Sequence, residues 1–292
     1  MSAAATGDLD EMAAALDRFA EAGVAVLAVH GGDGTVDAVI TALRTRSLFT
    51  REPALALLSG GTTNMTHADV GLPGAPAAAL ARLQAAVAAG LTPEQMVARA
   101  PIRMTRPDAW PEAAPFYGFF FATAAIPRVI RQTRQRYHRH GLTGRGSEAL
   151  AIAGSLRRLL SGRVTSDSLL YPQTLRLQCD AAPVREVSSV VLLATTLERL
   201  LLGLRPAPPA PGRIGVAGLV HPYRHLGRAL PAFLRGRPLP PRAEGQGLWR
   251  AQVEMLSVGG EGEATLDGEL FPTQLAAPLH LTRAAPVQFV KV

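Results

Sequence analysis

The chain has 292 residues, of which 48% are hydrophobic and 18% are charged. This balance excludes a disordered chain and a bundle of membrane-spanning helices, and the length accommodates two domains with sizeable cores. The formal net charge of +7 is compatible with nucleic acid, an anionic membrane surface or nucleotide phosphates, and composition does not choose among them. Because Cys179 is the only cysteine, no disulfide forms within the chain, and a reducing cytoplasm is the simplest location.

The first predicted helix covers residues 8–22, with Asp8 as its N-cap and Gly23 just beyond its end. A run of Val, Leu and Ala at 24–29 follows, and it has the composition of a strand that is buried on both faces. The first ten residues lack the pattern of a signal peptide. The apolar run at 187–204 is interrupted by charged residues, so we expect no transmembrane segment.

The motif Gly31-Gly32-Asp33-Gly34-Thr35 comes directly after this strand and before apolar residues at helical spacing. Glycines permit a tight turn here, and the backbone N–H groups at the start of the following helix favour phosphate. A carboxylate beside phosphates is repulsive unless a cation lies between them, so we expect Asp33 to contact Mg²⁺ that is bound with a nucleotide. The alternative is a glycine-rich turn without a ligand.

A second unit repeats this arrangement. The apolar run at 54–58 predicts a strand, and Ser59-Gly60-Gly61-Thr62-Thr63-Asn64 forms a second turn of small residues. In an open parallel sheet both turns lie at the carboxyl edge, where such folds bind ligands. A further helix is predicted over residues 75–89, between proline and glycine signals.

The pattern changes after residue 101, and we predict a domain boundary near residue 110. Beyond it, strand-like runs dominate, at 116–123, 169–179, 186–194, 213–219, 250–258, 263–270 and 279–292. Helices are predicted at 126–140, 146–160 and 223–234. The fold class is therefore an α/β nucleotide-binding domain with an open, mostly parallel sheet (residues 1–110), followed by a β-sandwich domain (111–292). We expect the last strand to return to the first domain.

Three separated motifs together resemble the diacylglycerol kinase catalytic-domain family, which includes sphingosine kinases and bacterial lipid kinases. They are Gly31-Gly32-Asp33-Gly34-Thr35, Gly61-Thr62-Thr63-Asn64 and Leu266-Asp267-Gly268-Glu269. The resemblance implies a lipid kinase that transfers the γ-phosphate of ATP, with Mg²⁺, to diacylglycerol or a related lipid hydroxyl. The ATP-binding residues that it implies are Gly31, Gly32, Asp33, Gly34, Thr35, Val36, Asp37, Gly61, Thr62, Thr63 and Asn64.

The sequence departs from the family pattern at three places. The family begins with a strand that ends in an Asn-Pro-x-Ser-Gly-like turn, and this strand is missing here, which leaves truncation and true loss as alternatives. Met65 follows Asn64, where the family usually has an acidic residue. Pro211-Gly212-Arg213-Ile214 stands where the family often has an acidic pair that holds a structural magnesium, so we predict no metal there.

Asp267 and Glu269 are the candidate catalytic residues, since transfer to a hydroxyl requires a group that accepts its proton. On a continuous strand the two side chains point to the same face, and mutual repulsion is then expected to raise the pKa of one of them. The family resemblance makes Glu269 the general base and Asp267 its orienting neighbour. A plain Asp-Gly turn without catalytic function is the alternative.

The basic segment from Ile126 to His140 predicts a helix that contacts anionic lipid, although a solvated helix face is an equal alternative. We therefore expect a lipid substrate at an anionic membrane surface and no nucleic-acid partner. We also expect a cytoplasmic protein at the inner membrane face, and a homodimer is left open. Two further functional hypotheses remain: a weakened or inactive lipid-binding member of the family, and an NAD kinase-like enzyme.

Overall fold

A computed structural model of the chain describes residues 2–61, 64–106, 114–140, 170–223, 226–239 and 247–292. Side chains are described for these residues except 133–140 and 228. Two sequence predictions, Thr62 and Thr63 as nucleotide-binding residues and a helix over 146–160, lie outside the described residues. Among the described helices, none is long and apolar enough to cross a membrane.

The helices follow the predicted start and stop signals closely. Their bounds are α1 (Leu9–Glu21), α2 (Asp33–Arg46), α3 (Met65–Val70), α4 (Pro76–Ala89), α5 (Ala125–His140) and α6 (Leu226–Leu234), with short 3₁₀ turns at Pro93–Gln95 and Leu201–Gly203. Asp8 caps α1, because its side chain accepts a hydrogen bond from the backbone N–H of Glu11. Helix α3 was not predicted, since its sequence lacks a helical apolar stripe.

The first sheet contains four strands in the order β1, β2, β15 and β3. These are β1 (Val26–Gly31), β2 (Ala54–Ser59), β3 (Met96–Arg99) and β15 (Val287–Val290). The pairs β1–β2 and β2–β15 are parallel, and β15–β3 is antiparallel. The C-terminal strand thus lies inside the N-terminal sheet, where Phe289 is completely buried.

The second sheet is a large antiparallel sheet that curls on itself. Its strands are β4 (Ile102–Thr105), β5 (Phe116–Gly118), β6 (Phe120–Ala124), β7 (Gln173–Cys179), β8 (Arg185–Thr195), β9 (Ile214–Val220), β10 (Leu248–Val253), β11 (Met255–Gly260), β12 (Gly262–Leu266), β13 (Glu269–Thr273) and β14 (Leu279–Arg283). The predicted fold class is confirmed: an α/β domain precedes a β domain built from packed antiparallel strands. The chain passes from the first sheet to the second between Arg99 and Ile102, and the predicted boundary near residue 110 stays a prediction.

Helix α2 packs against both domains. Its apolar face, with Val36, Val39 and Ile40, belongs to one buried cluster that also contains Phe119 and Phe289. The helix packs against β5 of the second sheet as well as β1 of the first. The first turn of α2 is therefore held rigidly beside both domains, and this is where the glycine motif lies.

Candidate active site

The two small-residue turns lie side by side at the carboxyl edge of the first sheet. Strand β1 ends at Gly31, which pairs in parallel register with Ser59 at the end of β2. The backbone N–H of Gly60 then donates a hydrogen bond to the carbonyl of Gly31 over 3.1 Å. The carboxyl ends of parallel strands are the usual ligand edge of an α/β sheet.

The close approach of these turns requires glycine. A Cβ atom on Gly61 would lie 2.4 Å from the Cα of Gly32, and one on Gly60 would lie 2.8 Å from the backbone nitrogen of Gly31. Both obstacles are backbone atoms that cannot rotate away. The surface here is consequently made of backbone, next to the N-terminus of α2, which is the arrangement that accepts phosphate oxygens.

Asn64 closes the second turn from within. It is buried and adopts a left-handed conformation, with φ of 49°. Its side-chain oxygen accepts from the backbone N–H of Gly61 over 2.9 Å, and its amide donates to the Ser59 hydroxyl over 3.1 Å. The side chain of this predicted nucleotide-binding residue therefore shapes the turn.

Asp33, in the first glycine motif, accepts hydrogen bonds from helix α3, which follows the second glycine turn. Its two carboxylate oxygens accept hydrogen bonds from the backbone N–H groups of Met65 (2.8 Å) and Thr66 (2.9 Å), the first residues of α3. A carboxylate at a helix N-terminus satisfies N–H groups that have no partner within the helix. The structure thus gives Asp33 a positioning role, and its contact with Mg²⁺ stays a prediction.

Asp267 lies in a tight turn between β12 and β13. Leu266 pairs with Glu269 across this hairpin, while Asp267 (φ 46°) and Gly268 (φ 101°) form the turn itself. The expectation that Asp267 and Glu269 share one face of a continuous strand is therefore wrong, because the chain reverses between them. A two-residue turn with positive φ at both positions is typical of Asp-Gly.

The Asp267 carboxylate is held by backbone N–H groups of the second sheet. It accepts hydrogen bonds from Phe119 (2.5 Å) and Phe120 (2.9 Å). Gly118 must lack a side chain, since a Cβ there would lie 2.6 Å from an Asp267 carboxylate oxygen. Burial, and then the charge of Asp33, raise the pKa of Asp267 to about 7, so the neighbour that raises it is Asp33 and the predicted repulsion by Glu269 is not the cause.

Asp37 is a second buried acidic residue of the site, after Asp33. It lies one helical turn after Asp33, so both side chains share one face of α2. One of its carboxylate oxygens, Oδ1, has no hydrogen-bond partner among the described residues. Burial, and then the charge of Asp267, hold the pKa of Asp37 well above its usual range.

Glu269 is exposed and faces the first glycine turn. One of its carboxylate oxygens lies 3.7 Å from the position that a Cβ on Gly34 would occupy. The second domain therefore brings a solvent-accessible carboxylate to the N-terminus of α2.

The described residues do not form a metal site of their own. No group of three or more His, Cys, Asp or Glu side chains among them is arranged to hold a metal ion. Both carboxylate oxygens of Asp33 already accept backbone N–H groups of α3, and those of Asp267 accept from Phe119 and Phe120. These side chains alone do not fit a resident Mg²⁺.

The segment Pro211-Gly212-Arg213-Ile214, where we predict no metal, contains an arginine that forms ion pairs. Arg213 pairs with Asp180 (3.4 Å) and with Glu254 (3.1 Å).

Helix α5 borders a separate cavity of about 520 Å³, between its first two turns and the start of β12. Arg131 forms an ion pair with Glu263 over 2.9 Å, and Arg128 donates to the carbonyl of Tyr171 over 2.8 Å. These two arginines therefore fasten α5 to the second sheet. The basic side chains beyond them are outside the described part of the helix.

Comparison with known proteins agrees with this geometry. The fold is an α/β domain followed by an antiparallel β domain. Residues 1–91 match the family model of the diacylglycerol kinase catalytic domain, and this confirms the resemblance over that part of the chain. No curated protein matches the sequence.

Solved structures extend the likeness to the whole fold. A diacylglycerol kinase from Bacillus anthracis is 14% identical, with a TM-score of 0.61, over 98% of this chain and 82% of the other. Another structure from that organism, described as a candidate diacylglycerol kinase, has 15% identity and a TM-score of 0.63, over 98% and 84%. Yeast NADH kinase has a TM-score of 0.48 at 8% identity, over 92% of this chain and 62% of the other.

Sequence reasoning missed the contacts that connect the motifs. The bonds of Asp33 to α3 and of Asp267 to Phe119 and Phe120 join residues far apart in the chain. The only available signal was the i, i+4 spacing of Asp33 and Asp37, which places two carboxylates on one helix face.

Proposed function

We propose that the protein is an ATP-dependent lipid kinase. The observation that carries this proposal is that the two glycine turns lie side by side and that Glu269 from the other domain faces the first of them. The turns would hold the nucleotide phosphates by backbone N–H groups, and Asn64 would keep the second turn in shape. Phosphoryl transfer depends chiefly on such positioning and on charge neutralisation.

In the proposed reaction, Glu269 accepts the proton of the lipid hydroxyl. The hydroxyl oxygen forms a bond to the γ-phosphorus, the bond from that phosphorus to the β–γ bridging oxygen breaks, and ADP leaves. Mg²⁺ would enter with the nucleotide and neutralise phosphate charge. The exposure of Glu269 suits this role, because the carboxylate is accessible to a substrate that enters from solvent.

Diacylglycerol or a related lipid is the proposed acceptor, on the strength of the family match at residues 1–91. The experiment is transfer of labelled phosphate from γ-labelled ATP, with Mg²⁺, to diacylglycerol in phosphatidylglycerol vesicles. Labelled phosphatidic acid that depends on all three components is the expected product. Calorimetry with Mg²⁺ and ATP tests nucleotide binding separately. ATP binding without transfer to any lipid would favour the weakened family member, and failure to bind ATP would overturn the kinase.

The basic segment of α5 is the proposed membrane contact. We expect binding that rises with the anionic lipid fraction and falls with salt, because the attraction is electrostatic. Replacing Arg134, Arg136 and Arg139 by Gln should weaken sedimentation with anionic vesicles. The matched control replaces three exposed arginines elsewhere, Arg18, Arg51 and Arg185. Equal binding to neutral and anionic vesicles would exclude this segment as the docking surface.

A further inference from the structure

We infer that Asp69 is a positioning residue, which binds the second domain to helix α3 and so fixes Glu269 in its place facing the first glycine motif. This inference deepens the proposed function and rests on it, because the position of Glu269 matters for catalysis only if that residue acts on a substrate. Asp69 belongs to α3, the short helix that follows the second glycine turn. It lies outside the three sequence motifs.

The Asp69 carboxylate bonds to both domains. Its oxygen Oδ2 accepts from the Nε of Arg99 over 2.8 Å and from the backbone N–H of Glu198 over 3.2 Å. Arg99 ends β3 of the first sheet, whereas Glu198 lies in the loop after β8 of the second sheet. The Arg99 guanidinium also pairs with the Glu198 side chain over 3.0 Å. One carboxylate oxygen therefore joins α3, the edge of the first sheet and a loop of the second domain.

The stability of α3 itself does not account for an acidic residue at this position. Asp69 is the second-last residue of α3, where the helix dipole disfavours negative charge. Its side chain is only 3% exposed, so the carboxylate also loses most of its hydration. The charge-assisted bonds from Arg99 and Glu198 offset these two costs. The role of Asp69 therefore lies in the segments that it connects.

The loop after β8, which bonds to α3, also holds the strand that supports the Asp267 hairpin. The Thr195 hydroxyl and the Thr196 backbone N–H both donate to the carbonyl of Phe119, over 2.8 Å and 3.2 Å. The backbone N–H of Phe119 in turn donates to the Asp267 carboxylate over 2.5 Å. Glu269 follows Asp267 in the same hairpin. Hydrogen bonds thus lead from this loop to the hairpin that carries Glu269.

Helix α3 is a fixed reference for this hairpin, because its other end is bound to the first glycine motif. Asp33 of that motif accepts from the backbone N–H groups of Met65 and Thr66, over 2.8 Å and 2.9 Å. The first glycine motif therefore holds the start of α3, and the second domain holds its end. Loss of the Asp69 carboxylate releases the end alone, so Glu269 becomes less precisely placed against the glycine turns.

Substitutions of Asp69 test this role in phosphate transfer. Asp69→Ala removes the acceptor for both donors, and kcat should fall about 10- to 100-fold, as expected for misplacement of a reacting group. KM for ATP should change little, because both glycine turns belong to the first domain and keep their own hydrogen bonds. Asp69→Asn keeps an acceptor oxygen and should retain kcat within a few-fold.

The matched control is Lys291→Met. The Lys291 ammonium donates to the backbone carbonyl of Asp69 over 3.0 Å, so it fastens the same end of α3 to the strand β15 of the first sheet. This substitution should lower stability without lowering kcat. If folded Asp69→Ala has the kcat of Lys291→Met or of the wild-type protein, the inference is overturned.

Amide hydrogen exchange tests the Asp69–Glu198 bond without any substrate. In the wild-type protein the N–H of Glu198 should exchange slowly, although its side chain is 55% exposed, because Asp69 accepts its hydrogen bond. This measurement decides the matter even if a variant does not fold. In Asp69→Ala, exchange at Glu198, Thr196 and Phe119 should be faster by about tenfold or more, whereas Lys291→Met should leave it unchanged.

The exchange result separates this inference from the proposed function. Exchange of the Glu198 N–H at the rate of an unprotected amide in the folded wild-type protein would overturn the inference even if the protein is a kinase. Unchanged exchange in folded Asp69→Ala would overturn it as well. The expected exchange pattern in a protein that transfers no phosphate would support the bond between the domains and count against the proposed function alone.

Discussion

At the scale of single residues, the site depends on glycines that bring two turns into contact. Gly61→Ala would place a Cβ 2.4 Å from the Cα of Gly32, and neither backbone can move without separating the turns. We expect lower stability by about 1–3 kcal/mol, as for other overpacked sites, and a large loss of ATP affinity. Urea unfolding and calorimetry measure the two effects.

The control for this substitution is Gly227→Ala. Gly227 lies in α6, and apart from its chain neighbours and its own helix backbone no heavy atom of the described residues lies within 4 Å of the position that a Cβ would occupy there. Because alanine favours helix over glycine by about 1 kcal/mol, this change should be neutral or stabilising. If Gly61→Ala behaves like Gly227→Ala, the two turns do not pack as described.

Asp267 makes the stability of the protein depend on pH. Its pKa is about 7 in the folded protein against an ordinary value of 3.8, so the folded state binds more protons than the unfolded state between these values. Stability should therefore decrease as pH rises from about 4 to about 7. Asp267→Asn should flatten this dependence, although it weakens a backbone contact at every pH. The measurement is urea unfolding across this pH range, with the exposed Asp10→Asn as control, and an unchanged slope in Asp267→Asn would contradict the assignment.

At the scale of elements, helix α3 depends on a residue from a different helix. Met65 and Thr66 are buried and donate their backbone N–H groups to Asp33. Asp33→Ala leaves both donors without an acceptor and should destabilise the protein by about 1–3 kcal/mol, partly offset by relief of its repulsion with Asp267. Asp33→Asn keeps one acceptor oxygen and should cost less.

The comparison for Asp33 is Asp8→Ala, which removes the exposed cap of α1. An exposed cap is worth about 1 kcal/mol, because water replaces the lost acceptor. Chemical unfolding of Asp33→Ala, Asp33→Asn and Asp8→Ala ranks their losses in the free energy of unfolding. Equal losses for Asp33→Ala and Asp8→Ala would show that Asp33 does not support α3 in the folded protein.

At the scale of the whole molecule, sequence patterns predicted the helices and strands better than they predicted the contacts between them. Alternating apolar runs indicated most strands of the second sheet, and Asp8 and Gly23 marked the ends of α1. The reversal at Asp267-Gly268 was not recognised, since the run on either side reads as one strand. The bonds of Asp267 to the backbone of Phe119 and Phe120 were not predictable either, because they join segments far apart in the chain.

The three motifs illustrate the same limit. Their residue types indicated phosphate binding and a catalytic carboxylate before the fold was described. That Asp33 supports α3, and that Asn64 bonds within its own turn, follow only from the folded chain. Local pattern therefore predicted a candidate site, whereas the hydrogen bonds of its acidic residues required the three-dimensional arrangement.

The central claim is that Glu269 is the proton acceptor in a lipid kinase, and the most direct test compares wild-type protein with Glu269→Gln in single-turnover transfer of labelled phosphate to diacylglycerol. General-base removal lowers rates by about 10² to 10⁴, so the variant should transfer phosphate more slowly by that factor while calorimetry shows nearly unchanged ATP affinity. Wild-type turnover by a correctly folded Glu269→Gln protein would contradict the account.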